Sequence, residues 1–346
     1  MTTDTTMIYV GCYTDPMQPA GVAALTLNLG SGSLSYSHSV LKTTNPSFVL
    51  PTSAGLYTFN EMSAGEGASV QFLNQSGAIQ VRPSEGDYPC HLATNHDRTW
   101  LALAHYGTGN VNLYCLLSDG KIDQNVAVLS HEGNGPNRGR QEASHAHMVH
   151  FLTHSPQLWT VDLGTDRIAI YQLGHDDNGV ELIQALQMPA GSGPRHLVLN
   201  HDETRAYVVC ELSETLVTLS LVDDQWQISD EQSLMPDEKT GEAAAAIKMS
   251  PDGRFVYVSC RAQNTVVQFD ICQPKPQRVK AVAIQGQFPR DFLITDDGKW
   301  CVVANQHSNS IECLSRCTET GILAGTEVSL AFHAPVCLIQ SDQCPV

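Results

Sequence analysis

One pattern recurs along this chain at intervals of 43 to 56 residues. A proline or polar residue opens a short apolar strand. A tight turn, a second β-rich strand, a polar loop and a third strand follow. One copy reads Pro89-Cys90-His91-Leu92-Ala93, then Asn95-His96-Asp97-Arg98, then Trp100-Leu101-Ala102-Leu103-Ala104. Another reads Pro194-Arg195-His196-Leu197-Val198-Leu199, then His201-Asp202-Glu203-Thr204, then Ala206-Tyr207-Val208-Val209-Cys210. Two more run from Ala245 through Ser250-Pro251-Asp252-Gly253 to Ser259, and from Pro289 through Asp296-Asp297-Gly298 to Ala304. Weaker copies start at Pro46 and His145, and a last one at Pro335. A period of about 40–50 residues with several short strands is the signature of propeller blades. Asp-Gly turns between apolar runs mark the hairpins. No long segment with helical periodicity competes.

The pattern predicts an all-β, seven-bladed β-propeller with four-stranded antiparallel blades. The start at Pro335 leaves too little chain for a full blade. The strands missing from it are supplied by Met7–Tyr13, Gly21–Leu27 and Leu34–Tyr36. Blade seven is therefore expected to combine about 7–40 with about 334–340, closing the ring by pairing the terminal strands and removing two sheet edges. The length of 346 residues suggests about two domains on the usual prior. The repeat instead divides 1–346 into one propeller domain.

Composition narrows the function. The formal net charge is −17, from 19 basic and 36 acidic residues. This argues against nucleic acid as a partner. No run reaches the roughly 18 apolar residues of a membrane span. The opening MTTDTTMIYVGCYT has no secretory signal pattern. The 11 cysteines are odd in number and include no CxxC pair. Several lie inside apolar strands, as Cys210 and Cys301 do, which predicts reduced thiols acting as small hydrophobes and a cytoplasmic location.

Propeller geometry turns the repeat into a site. The residue that opens strand A and the residue that leaves strand B share one face. Arg195, Arg290, His147 and His91 stand at strand-A starts; Glu211 and Arg261 follow strand B. All six are expected to converge near the central channel, where ligand sites tend to lie. Three arginines gathered inside an acidic protein point to a small anionic ligand, because a guanidinium binds carboxylate or phosphate through two hydrogen bonds. The pair His145-Ala146-His147 could offer two imidazoles to zinc, with Asp162 as a candidate third ligand, but the set is incomplete and no metal is expected. Gly191-Ser192-Gly193-Pro194 opens a strand rather than a helix, so a tight turn is expected there and not a phosphate loop. No GxSxG nucleophile elbow occurs.

At these residues the chain resembles the seven-bladed β-propeller lactonase family, which includes bacterial 6-phosphogluconolactonase and the fungal 3-carboxymuconate lactonising enzyme. The resemblance spans essentially the whole chain. It rests on Tyr9-Val10-Gly11-Cys12-Tyr13-Thr14, Asn45-Pro46-Ser47-Phe48, Arg140-Gln141-Glu142 with His145-Ala146-His147, and Asp162 to Arg167. Gly193-Pro194-Arg195-His196, Glu211-Leu212-Ser213, Ser250 to Arg254 and Pro289-Arg290-Asp291-Phe292 complete it. It implies His147, Arg195, Glu211 and Arg261 as catalytic residues, and Arg290 matches the family's next motif. Arg290, His91 and His196 are expected to bind substrate. The chain departs from the family at Cys210 and Cys260, where Asn is common, and at Ser144, where Pro is frequent.

The expected activity is hydrolysis of a sugar lactone, 6-phosphogluconolactone, in the pentose phosphate pathway, with no cofactor. Either Glu211 or His147 would activate water, and Arg195 and Arg261 would stabilise the oxyanion. The alternatives are a muconate-type enzyme acting on a carboxylated lactone and a non-catalytic propeller that binds a partner.

Overall fold

The computed structural model describes residues 4–15, 21–174 and 179–341. Seven antiparallel sheets of four strands form the blades, with strands A to D running outward from the centre. The inner strands A are Val49–Thr52, Pro89–Thr94, Ala146–Phe151, Pro194–Leu199, Ala244–Met249, Pro289–Ile294 and Pro335–Gln340. The first six open blades one to six. The seventh pairs with Thr5–Cys12, Val22–Asn28 and Leu34–Leu41, so blade seven joins the two ends of the chain, as expected. Its register sets Val10 opposite Leu338 and Ile8 opposite Gln340.

In blades four and six the outermost strand is the longest. Strands A have at most six residues, while the outer strands Gln225–Ser233 and Leu323–Ala331 have nine. The hairpins follow the sequence signals. In Ser250-Pro251-Asp252-Gly253 the Ser250 hydroxyl donates to Asp252 at 2.5 Å, and the Gly253 amide donates to the Ser250 carbonyl. The copy at Thr295 is the same, with its hydroxyl on Asp297 at 2.6 Å.

The core lies between neighbouring blades. One position of strand A packs there in every blade: Val49, Leu92, Val149, Leu197, Ile247, Phe292 and Leu338 are all at most 3% exposed. Pairing registers show these seven to be equivalent. They also correct two repeat starts by one residue. Ala146 and Ala244, not His145 and Ala245, match Pro194. Between blades three and four, Trp159 meets Trp226 edge to face at 4.8 Å.

Leu338→Ala is expected to destabilise the protein by about 2–5 kcal/mol, because it empties a core site on the strand that closes the ring. Val81→Ala, at a position 57% exposed, is expected to change stability by no more than about 0.5 kcal/mol. Urea unfolding of both variants measures the difference, and equal costs would contradict this account of closure.

Candidate active site

Consecutive side chains of a strand face opposite ways. Strand A breaks this rule at its second residue. Pro194 pairs with Cys210 and His196 with Val209, leaving Arg195 without a partner on strand B. The same β-bulge leaves out Cys90, His147 and Arg290. A bulge re-aims the extra side chain. Here the second and third residues of strand A both line the central channel. Cys90 with His91, His147 with Met148, Arg195 with His196, and Arg290 with Asp291 surround a cavity of about 340 Å³. Lys248 and His150 line it deeper in the channel.

The residue after strand B adds the second layer. Glu211, 3% exposed, is the centre of a cluster of three guanidiniums. Arg140 Nη2 lies 2.6 Å from Oε1, and Arg261 Nη2 lies 3.0 Å from the same oxygen. Arg195 brings Nε within 2.9 Å of Oε2, as a charge contact rather than an aligned hydrogen bond. Backbone carbonyls fix two of the arginines further. Arg195 Nη1 donates to Ala245 O at 2.8 Å, and Arg261 Nε donates to Ala243 O at 2.9 Å.

Burial opposes charge on Glu211, but Arg261, Arg195, His147 and Arg140 outweigh it and hold the carboxyl well below its usual range. For Arg195, burial is the larger effect and brings the guanidinium down to about 9, against the pull of Glu211. Burial, reinforced by Arg195, keeps His147 well below the ordinary imidazole value although Glu211 pulls the other way. His91 and His196 are kept neutral in the same way.

The three histidines are neighbours. His196 sits 5.3 Å from His147 and 5.4 Å from His91, ring centre to ring centre. His91 is not level with His147, as the sequence suggested. It is the third residue of its strand and matches His196; Cys90 holds the bulge. The HxH pair is not arranged as metal ligands. His145 Nδ1 meets Tyr106 O at 2.7 Å, and its Nε2 meets Glu142 at 3.3 Å. The Asp162 carboxylate accepts hydrogen bonds from Ser144, His145, Gly164 and Thr165. Among the described residues no group of three or more His, Cys, Asp and Glu side chains forms a metal site.

Sequence reasoning noted Arg140 only as part of a family motif and gave it no role in the site. It comes from the loop between blades two and three, so no repeat register pointed to it. The next residue, Gln141, is fully buried and donates to Leu163 O at 2.9 Å and Asp166 at 2.7 Å. Asp166 in turn accepts from the Gly191 and Gly193 amides at 2.6 and 2.7 Å. Gly191 to Pro194 is thus the expected turn, and it braces Arg140's loop against Arg195's strand. A Cβ on Gly193, at φ +60°, would lie 2.5 Å from Leu212 Cγ. Across the mouth, Tyr13 and Glu61 stand in the register of Glu211, each following its strand B. The Tyr13 hydroxyl donates to Glu61 at 2.9 Å and accepts from Arg290 Nη2 at 3.0 Å.

In a closed ring of seven blades, three guanidiniums thus gather on one buried carboxylate beside the central cavity. The family model for lactonase, 7-bladed beta-propeller, matches residues 7–340. The chain belongs to this lactonase family, and relatives named 6-phosphogluconolactonase mark it as a hydrolase acting on a lactone ester. It is similar to the 6-phosphogluconolactonase of Bacillus subtilis, 28% identical over 95% of this chain and 97% of the relative. The 6-phosphogluconolactonase of Formosa agariphila is 26% identical over 91% and 94%. The periplasmic gluconolactonase of Pseudomonas aeruginosa superposes with a TM-score of 0.88 at 26% identity, covering 97% of this chain and 99% of the other.

Glu211→Gln is expected to lower stability at neutral pH by about 3–5 kcal/mol, because it leaves buried guanidiniums uncompensated. The folded-state pKa of Glu211 lies below its unfolded value. Its contribution is therefore complete above about pH 4.3 and lost as pH falls from there toward the folded value. Urea unfolding across acid pH should show the gap between wild type and variant narrowing. A gap that stays constant down to about pH 3 would contradict the assignment.

Proposed function

We propose that this protein hydrolyses a lactone bearing an anionic substituent, 6-phosphogluconolactone, to the open acid. Lactone hydrolysis needs a base for water, positive charge at the carbonyl oxygen and a proton for the departing ring oxygen. The observation that carries the reading is His147. Its side chain lines the cavity and its Nδ1 is buried with no hydrogen-bond partner, whereas the Glu211 carboxylate is already engaged by three guanidiniums. In this reading His147 takes the proton of the attacking water as its oxygen bonds to the carbonyl carbon. It returns that proton to the ring oxygen when the C–O bond breaks. Glu211, held ionised by three guanidiniums, orients them instead of acting as base. Arg195 and Arg261 offset the charge that develops on the carbonyl oxygen.

Arg290, His91 and His196, which line the same cavity, would receive the phosphate. The names of the Bacillus and Formosa relatives support that substrate, and with it a place in the pentose phosphate pathway. The buried, apolar settings of Cys12, Cys210 and Cys301 suit reduced thiols and support a cytoplasmic site of action.

His147→Asn is expected to lower kcat by about 10²–10⁴-fold. In the wild type, kcat/KM should stay level as pH falls through about 6.5, the ordinary imidazole value, because His147 takes up its proton only at lower pH. A panel of 6-phosphogluconolactone, gluconolactone and a carboxylated lactone, with Arg195→Ala as the inactive control, tests the activity. Full turnover by His147→Asn, or a fall in kcat/KM centred near 6.5, would overturn the role given to His147.

A further inference from the structure

Arg290 differs from the other arginines of the mouth. Arg140, Arg195 and Arg261 each touch the Glu211 carboxylate. Arg290 meets its nearby carboxylate only at one remove. Its Nη2 donates to the Tyr13 hydroxyl at 3.0 Å, and that hydroxyl donates to Glu61, 2.9 Å from Oε1 and 3.0 Å from Oε2. The guanidinium also lies over the Tyr13 ring, 5.3 Å from its centre. One phenol oxygen thus separates a cation from an anion that would otherwise attract each other strongly in so enclosed a site. Burial pushes the Tyr13 phenol up, further than Arg290 lowers it, so the hydroxyl keeps the proton it gives to Glu61.

We propose that Tyr13 is a spacer that keeps Glu61 from pairing directly with Arg290, so that Arg290 presents a guanidinium without a carboxylate in contact to the anionic group of the substrate. This rests on the lactonase reading above and adds a positioning residue to it. A direct Glu61–Arg290 pair would place a carboxylate where the substrate's phosphate or carboxylate has to bind, and the two anions would compete. With the spacer in place, Glu61 still aligns the phenol, and through it Arg290, without taking either of Arg290's outer nitrogens for itself. The two poles of the mouth then do different work. At the Glu211 pole the carboxylate is in direct contact, one negative charge shared among three arginines. At the Glu61 pole the carboxylate is held off and the arginine selects.

The measured quantity is a selectivity ratio: kcat/KM for 6-phosphogluconolactone divided by kcat/KM for unphosphorylated gluconolactone. A carboxylated lactone in a third arm distinguishes phosphate from carboxylate as the preferred anion. The ratio does not depend on the fraction of enzyme that is folded. In Tyr13→Phe the ring stays but the hydroxyl is gone, and Glu61 collapses onto Arg290. The ratio should fall about tenfold, chiefly through a higher KM for the charged lactone. In the double variant Tyr13→Phe/Glu61→Gln the competing anion is removed as well. The ratio should return to within about threefold of wild type. If Tyr13 served only to hold Arg290 in place, the double variant would fall at least as far as the single one, and that result overturns the proposal. An unchanged ratio in Tyr13→Phe overturns it too. A wild-type enzyme that turns over none of the lactones, or shows no preference for a charged one, instead sinks the reading on which the proposal rests.

Discussion

Side chains alternate along a strand, so a β-channel ordinarily receives every second residue of its inner strands. Each inner strand of this propeller is short, and strict alternation would bring one early side chain per blade to the mouth. The bulge at the second residue of strand A lifts that restriction. It puts Arg195 and His196, Arg290 and Asp291, and Cys90 and His91 side by side on the same wall. The next residue returns to the regular pairing and packs between blades, as Leu197 and Phe292 do. A break of one residue in the ladder therefore doubles the chemistry that these blades can offer while leaving the inter-blade core intact.

The crowding that results has an electrostatic cost, and Glu211 offsets it. Three guanidiniums close together repel one another and lose water; a single ionised carboxylate among them makes the arrangement tenable. Burial, reinforced by Arg195, keeps protons off His147 and His196. One acidic residue thus fixes the position of three cations. An overall charge of −17 is compatible with an anion site for this reason. The sign of the average says little about a channel whose walls are set by a few residues.

The blades were legible because they repeat. Apolar alternation and Asp-Gly turns recur often enough to give strand order, hairpins and even the closure by both ends of the chain. The bulge was not legible. Nothing in the composition of Pro89-Cys90-His91 says which residue lacks a partner, so His91 was read as the equivalent of His147 when Cys90 holds that place. Ala146 and Ala244 slipped by one residue for the same reason. Arg140 reaches Glu211 from a loop outside the repeat, where spacing carries no information. Tyr13 and Glu61 could have been found. They follow strand B just as Glu211 and Arg261 do, and the same register rule applied to blades one and seven would have singled them out.

Blade seven is woven from strands that leave the ribosome at opposite ends of synthesis. Thr5–Cys12 emerges early, but its inner neighbour, Pro335–Gln340, emerges more than 300 residues later. Until then the first hairpin of the chain has an unpaired inner edge, and Tyr13, at the end of that strand, lacks the backbone hydrogen bond it makes to Ala334. The mouth consequently cannot be assembled piecemeal as each blade appears. A nascent chain carries six blades' worth of fold without a finished channel, and the last strand to arrive completes the ring and the site together.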